Sequence, residues 1–392
     1  MDRMQSSDYF ISEGTVNAFP KRSKGEQPMS NIGRPKSDSA TEVTLPVTFN
    51  ALVIEQAGKP VSMQQKTIAS LGEDEMLIRV TYASINKMDP ALALRNLFQL
   101  PPPYVLGFDF SGEVVNLGGR GEGRFKVGDQ VFGHSKTGLG GCFAEYVVAK
   151  NSLEQVVLRG AVPAPEASTY GVAYLTTYES LVVTGNIQRQ RGKRIYIAGA
   201  GGGLGHFAAQ IAKLHGLKVI GTAGKPKTLE LLRQLQLDHV IDYNKQNVVE
   251  EIMRLTGGKG VDLVYDSTYS QSSYIQSTGV IASGGEYIRL GTAAQMTQFG
   301  VEDMTTVVEG RGAKMVIGDL GRYSTDPLYK SQMPKVAEGL RQAVLWYEER
   351  KLRPVITQVV PFDSAALQRA FEDFLRGTIN VGKVVVQCGQ PS

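Results

Sequence analysis

The sequence predicts an α/β protein of two domains, one rich in β-strands and one a doubly wound parallel sheet, and three observations carry this expectation. The chain has 392 residues, a length at which a single hydrophobic core normally gives way to two. From about residue 47 to 170, short β-type runs are separated by Gly-Asp and Gly-Gly breaks, the rhythm of a compact, largely antiparallel domain. From about 171 to 320, strand-like runs alternate with helical runs, the rhythm of right-handed βαβ units.

Taken in order, residues 1–46 are rich in Ser, Pro, Gly, Asn and Lys and show no apolar period, so they are expected to be a disordered tail. The β-rich part then reads as "FNALVIEQ", "EMLIRVTYASIN", "FSGEVVNLG", "FKVGDQVFG" and "GCFAEYVVAK". In the second part "KRIYIAGA", "LKVIGTA", "VDLVYDS" and "GEYIRLG" alternate with the helical "LGHFAAQIAKLHG" and "PKTLELLRQLQL". Beyond about residue 320 come a helix "MPKVAEGLRQAVLWYEERK", a run "ITQVVPF", a helix "SAALQRAFEDFLRG" and a terminal strand "GKVVVQC". These are expected to return to the first domain, giving one domain from 47–170 and 321–392 and another from 171–320.

Composition excludes several classes. Net charge is only +4 with both signs interspersed, so no basic stripe for nucleic acid is present. Cys142 and Cys388 are the only cysteines, too few for a disulfide framework or a Cys-rich zinc lobe, and suited to a reducing compartment. The most apolar stretch, Ile195 to Ile211, carries five glycines and reads as a buried strand-turn-helix, so no membrane span is expected. The tail has neither the apolar run of a secretory signal nor the acid-poor character of a transit peptide. The expected location is the cytoplasm. His134, His206, His215 and His239 have no ligand spacing and are expected in turns or on helix surfaces.

The stretch Ala200-Gly201-Gly202-Gly203-Leu204-Gly205 follows a strand and opens a helix. A diphosphate needs a side-chain-free turn there, so that N–H groups at the helix start reach its oxygens. Gly202 is assigned that approach, Gly205 the close packing of helix on strand, and Ala200, Gly203 and Leu204 complete the turn. Sites that prefer NAD place an acid at the end of the next strand. This chain has Thr222, Gly224, Lys225 and Lys227 in that region instead, which removes repulsion from a 2′-phosphate and adds attraction. The expected cofactor is NADPH.

At these residues the chain resembles the medium-chain dehydrogenase/reductases, and within them the zinc-independent quinone oxidoreductase and enoyl reductase branch, zeta-crystallin-like proteins included. "ASINKMD", "PPPYVLGFDFSGEVVNLG", "FKVGDQVFG", "GCFAEYVV" and "YLTTYESL" stand in the order of that branch's motifs. The resemblance implies a GroES-like catalytic domain made from both chain ends around a Rossmann domain, with the site between them. It implies Asn86 and Asp89 as catalytic candidates, with the Asn86 amide as a donor to a substrate carbonyl or to the nicotinamide. Thr176 would face the cofactor, Tyr243 would frame the adenosine phosphate, and Lys383 is placed in the same cofactor set.

Zinc alcohol dehydrogenases are a neighbouring likeness, and a catalytic zinc needs three Cys, His or carboxylate ligands. Where those enzymes carry ligands this chain has Asn86 or Lys87, Phe108-Asp109 and apolar residues near Val172, so no metal is expected. Ala91 stands where many relatives carry a Tyr, which leaves the proton donor unassigned. The expected reaction is hydride transfer to a quinone or an α,β-unsaturated carbonyl, a small-molecule substrate. The competing expectations are a zinc-free alcohol or aldehyde oxidoreductase, a dinucleotide-binding scaffold, and a membrane-associated transport-type relative. A homodimer is expected, with "GGEYIRLG" as an edge strand joined across a two-fold axis.

Overall fold

The computed structural model describes residues 42–119, 124–135, 141–151, 156–321 and 331–390. Three sheets organise them. The strands β1 (Val47–Ile54), β2 (Ser62–Ile68) and β4 (Tyr104–Val105) form a small sheet in the order β2-β1-β4. Exposure alternates along β2, as a strand with one wet face requires.

The second sheet centres on β3 (Glu75–Ile85), where Met76, Leu77, Ile78 and Val80 are all fully buried. Antiparallel to it run β5 (Asp109–Leu117) on one side and, at its two ends on the other, β7 (Tyr146–Lys150) and β16 (Lys383–Gln387). Beyond β5 follow β6 (Gln130–His134) and β8 (Val156–Leu158), and β15 (Ile356–Pro361) lies outside β16. The C-terminal strands therefore do return to the first domain. The pairing of Val384 with Ile85 and of Gln387 with Tyr82 brings the start of β16 to the residue before Asn86.

The third sheet is parallel: β9 (Arg194–Ala198), β10 (Lys218–Ala223), β11 (His239–Asp242), β12 (Val261–Asp266), β13 (Ile281–Leu290) and β14 (Lys314–Gly318) stand in the order β11-β10-β9-β12-β13-β14. In strand numbers counted from β9 this is 3-2-1-4-5-6, the doubly wound order in which the strand order reverses beside the first strand. The fully buried Ile195, Ile197 and Tyr265 show why these runs read as continuously apolar, since helices cover both faces.

Three expectations are corrected. "GGEYIRLG" lies inside the sheet, because β14 pairs along its outer side; a fifth βα step placed a further strand there. The Met333–Glu348 helix, grouped with the C-terminal return, buries Val336, Leu340 and Val344 in the same cluster as Ile195, Phe207 and Leu232 of the parallel-sheet domain. It packs on the segment around Leu175 and Tyr178: a Cβ at Gly339 would stand 2.6 Å from Tyr178 Cδ1, and the Trp346 ring lies 6.2 Å from that of Tyr178. Of the expected tail, residues 1–41 lie outside the described residues, while Val43 is tied down through Val43 N–H to the Val115 carbonyl at 2.9 Å and Asn116 Nδ2 to the Val43 carbonyl at 2.8 Å.

Candidate active site

The turn after β9 is shaped by Gly199, at φ 71°, in the left-handed region that favours glycine. Gly205 opens the Gly205–Leu214 helix so close to this turn that a Cβ would stand 2.1 Å from the Gly199 carbonyl oxygen. Only glycine fits. A Cβ at Gly202 would meet nothing closer than the Gly199 oxygen at 3.3 Å, so the space above it is open. Among the described residues no protein acceptor takes the N–H groups of Gly203, Leu204 or Gly205. Three unpaired donors at a helix start beside open space are what a diphosphate requires.

His206 holds this turn in place. It is fully buried, with Nδ1 2.8 Å from the Gly202 carbonyl and Nε2 accepting from Val355 N–H at 3.3 Å, which fixes a neutral ring with the proton on Nδ1. Burial pushes its pKa down to about 4. The expected turn or surface histidine is thus a bridge from the glycine turn to the returning chain, which also bonds through Gly382 N–H to the Gly201 carbonyl at 2.8 Å. His134 is buried as well.

Asn86 lies at the end of β3 and is 6% exposed. Its Nδ2 donates to Asp109 Oδ2 at 2.8 Å, and its Oδ1 accepts from Lys383 Nζ at 2.6 Å. The Asp109 carboxylate is fully buried and also accepts from Ser84 Oγ at 2.8 Å and Val172 N–H at 2.6 Å. Lys383 Nζ stands 3.7 Å from Asp109 Oδ2, while its Cδ is 3.4 Å from where a Gly203 Cβ would be. One buried lysine therefore touches both the glycine turn and Asn86. Burial lowers its pKa, and the Asp109 and Asp89 carboxylates oppose that shift.

Asp89 occupies a different place from the one expected. It is fully buried, and its two oxygens accept from Asn86 N–H at 2.7 Å and Gly107 N–H at 3.1 Å. Burial raises its pKa to about 7, with the Asn86 N–H opposing. Those contacts make it a brace for the β3 terminus, with no oxygen left facing the cleft.

The cleft wall opposite Asn86 is the segment after β12. Lys87, which the sequence reading treated only as a replacement for a ligand, donates to the Thr268 carbonyl at 2.8 Å and lies 5.3 Å from the centre of the Tyr269 ring. Tyr269 in turn packs on Phe299 at 5.1 Å, and Arg95 reaches the Gln298 carbonyl at 3.4 Å.

At the far end of the parallel sheet, Tyr243 is 52% exposed and its ring fills the space above Gly224, where a Cβ would approach within 2.1 Å of Cε2. Asn244 Nδ2 donates to the Gly224 carbonyl at 2.5 Å. Lys225 and Lys227 are exposed, and Lys225 Nζ lies 3.1 Å from the Gly377 carbonyl. Thr222 is a correction: it is buried with its hydroxyl 3.5 Å from the Tyr196 hydroxyl, because both faces of β10 are covered and every residue from Val219 to Ala223 is buried. Thr176 is half-buried, and its neighbour Thr177 is the one that meets the glycine turn, 3.4 Å from the Leu204 carbonyl. Ala200 is fully buried beneath the turn, where its small side chain replaces the usual glycine without intruding.

The positions at which zinc enzymes carry ligands, Asn86, Asp109 and Val172, are neighbours here through the bonds just given, with the Lys383 ammonium beside them. Among the described residues no group of three or more His, Cys, Asp or Glu side chains is placed to hold a metal ion.

Residues 72–159 match the family of alcohol dehydrogenase GroES-like domains, and residues 203–323 match the family described as zinc-binding dehydrogenase. A quinone oxidoreductase of Sus scrofa is 28% identical over 343 residues, 86% of this chain and 97% of that protein. The crystal structure of CurK enoyl reductase is similar with a TM-score of 0.72 at 26% identity, covering 86% of this chain and 99% of that one. The quinone oxidoreductase from Coxiella burnetii gives a TM-score of 0.68 at 25% identity, covering 87% and 99%. With a GroES-like sheet built from both chain ends, a doubly wound parallel domain and both family matches, the chain belongs to the medium-chain dehydrogenase/reductase superfamily, and its similarity to quinone oxidoreductases fits that branch.

Proposed function

We propose that this oxidoreductase uses NADPH to reduce a quinone or an α,β-unsaturated carbonyl without a metal ion. The observation that carries the reading is the contact of Lys383 with both Gly203 and Asn86, which joins the diphosphate donors to a buried amide within one site. When bound, the dinucleotide supplies a hydride. The chain's own part is to hold the diphosphate on the N–H groups of Gly203, Leu204 and Gly205, and to keep the Asn86 amide rigid at the oxygen where negative charge grows. A fixed donor stabilises that developing charge more than the ground state. Lys87, a residue the sequence reading did not select, adds a positive charge on the opposite wall.

The preference for NADPH is supported by Lys225, Lys227 and the Tyr243 ring around Gly224, where an acid would repel the 2′-phosphate. Buried free thiols at Cys142 and Cys388 suit the cytoplasm, and no helix among the described residues is long and apolar enough to cross a membrane. Among the described residues β14 is the outer strand of the parallel sheet, the edge that a two-fold partner would extend. Steady-state oxidation of NADPH and of NADH, measured with a panel of quinones, 2-alkenals and simple aldehydes, tests the reading. It expects turnover with quinones or enones and a lower KM for NADPH; turnover confined to aldehydes would favour the alcohol or aldehyde oxidoreductase, and none at all the scaffold.

A further inference from the structure

An asparagine amide can sit in two orientations that differ by a half-turn and place nitrogen where oxygen was. Only one of the two can donate toward a given point in the cleft. At Asn86 the neighbours decide. With the observed arrangement the nitrogen faces Asp109 Oδ2 at 2.8 Å and the oxygen faces Lys383 Nζ at 2.6 Å. After a half-turn, an oxygen would face a carboxylate and an NH2 would face an ammonium, so both contacts would become repulsive in a buried site where charge interactions are poorly screened.

We propose that Asp109 is a positioning residue, which together with Lys383 locks the Asn86 amide in the one orientation that leaves its second N–H available for the substrate oxygen. The proposal rests on the reductase reading for the substrate but not for the lock. Asp109 is itself immobilised, since Ser84 Oγ bonds Oδ2 and Val172 N–H bonds Oδ1. The fit is tight on the far side too, because a Cβ at Gly171 would stand 2.2 Å from Asp109 Oδ1. The carboxylate cannot rotate away without losing three donors. The backbone just before Lys383 is held by the glycine turn through Gly382 N–H to the Gly201 carbonyl at 2.8 Å, so the orientation of the amide is tied to the place where the dinucleotide binds.

The test uses the full chain, NADPH as cofactor and 9,10-phenanthrenequinone as the acceptor probe. Asp109→Asn replaces the carboxylate by a group that can face either end of Asn86. Turnover should fall about 10- to 100-fold, with the Kd for NADPH, read by its fluorescence, changed less than about threefold. In wild-type protein labelled with 15N-asparagine, the Asn86 side-chain amide should give one sharp pair of correlations protected from solvent exchange, and in Asp109→Asn that pair should shift and broaden or double as the amide samples both orientations. The double variant Asn86→Asp/Asp109→Asn restores an amide-carboxylate pair beside Lys383 with the roles exchanged; it should recover melting temperature lost in Asp109→Asn while turnover stays low. Turnover within twofold of wild type in Asp109→Asn would overturn the proposal, as would parallel losses of turnover, NADPH affinity and melting temperature. If wild-type protein reduces no acceptor, the reductase reading fails by itself, and unaltered Asn86 signals in Asp109→Asn would separately overturn the lock.

Discussion

At the Tyr243 end of the cleft the candidate residues are exposed and rest on backbone carbonyls, whereas at the Asn86 end they are buried and rest on one another. Lys225 bonds the Gly377 carbonyl and Lys227 stands in solvent; Asn86, Asp109 and Lys383 are 6%, 0% and 2% exposed and share bonds. Water can replace a lost partner at the first end and cannot at the second. The outer end is therefore suited to selecting between cofactors by modest energies, and the inner end to holding a geometry.

The largest expected effect falls on the turn that joins the two ends. Gly205→Val puts a branched side chain against the Gly199 oxygen, so the helix start moves and binding of NADPH and NADH alike should be lost; fluorescence titration showing normal affinity for either would break the comparison. Next comes Asn86→Ala, which should cost roughly 2–4 kcal/mol in turnover if this amide is the main oxyanion donor, with NADPH affinity measured by titration nearly unchanged because the adenosine end is held separately.

His206 sharpens the contrast through pH. Its folded pKa is depressed to about 4 from an ordinary value of 6.5, so the neutral ring contributes stability that is fully present above 6.5 and is lost as pH falls toward 4. The window is worth about 3 kcal/mol. Urea denaturation at pH 7 and pH 4.5 should show a steeper loss for wild type than for His206→Gln, which cannot take up the proton. The smallest effect is at the outer end: Lys227→Ala should weaken NADPH by about 1 kcal/mol and NADH hardly at all, as read from the two Kd values. Lys225→Ala, which also frees the Gly377 carbonyl, should disturb both slightly.

Legibility in the sequence follows the same division. The glycine turn, the parallel strands and the C-terminal return were readable because each is a local pattern: a strand, a side-chain-free turn and a helix in succession, or a short apolar run near the end. The lock on Asn86 was not, since Lys383 and Asn86 are 297 positions apart and no periodicity carries a contact of that range. Asp109 was visible only as a residue standing where a metal ligand would be. Thr222 looks accessible because it stands near the strand's end, yet β10 is covered on both faces, and His206 is hard to place because burial of a polar ring depends on what packs over it. Lys87 became legible only once the segment after β12 lay opposite.

The return of β16 to the edge of β3 also decides when, during synthesis, this site can exist. Lys383 follows Asn86 by 297 positions, and β16 pairs directly with β3, so a ribosome must release that whole intervening stretch before the first domain can complete its own sheet. By then the strands of the parallel sheet, which all lie between Arg194 and Gly318, have already left the ribosome. A prematurely ended product would keep a recognisable dinucleotide fold and lack the lysine that orients Asn86, and the unpaired side of β3 would remain open to chaperones or to other nascent chains.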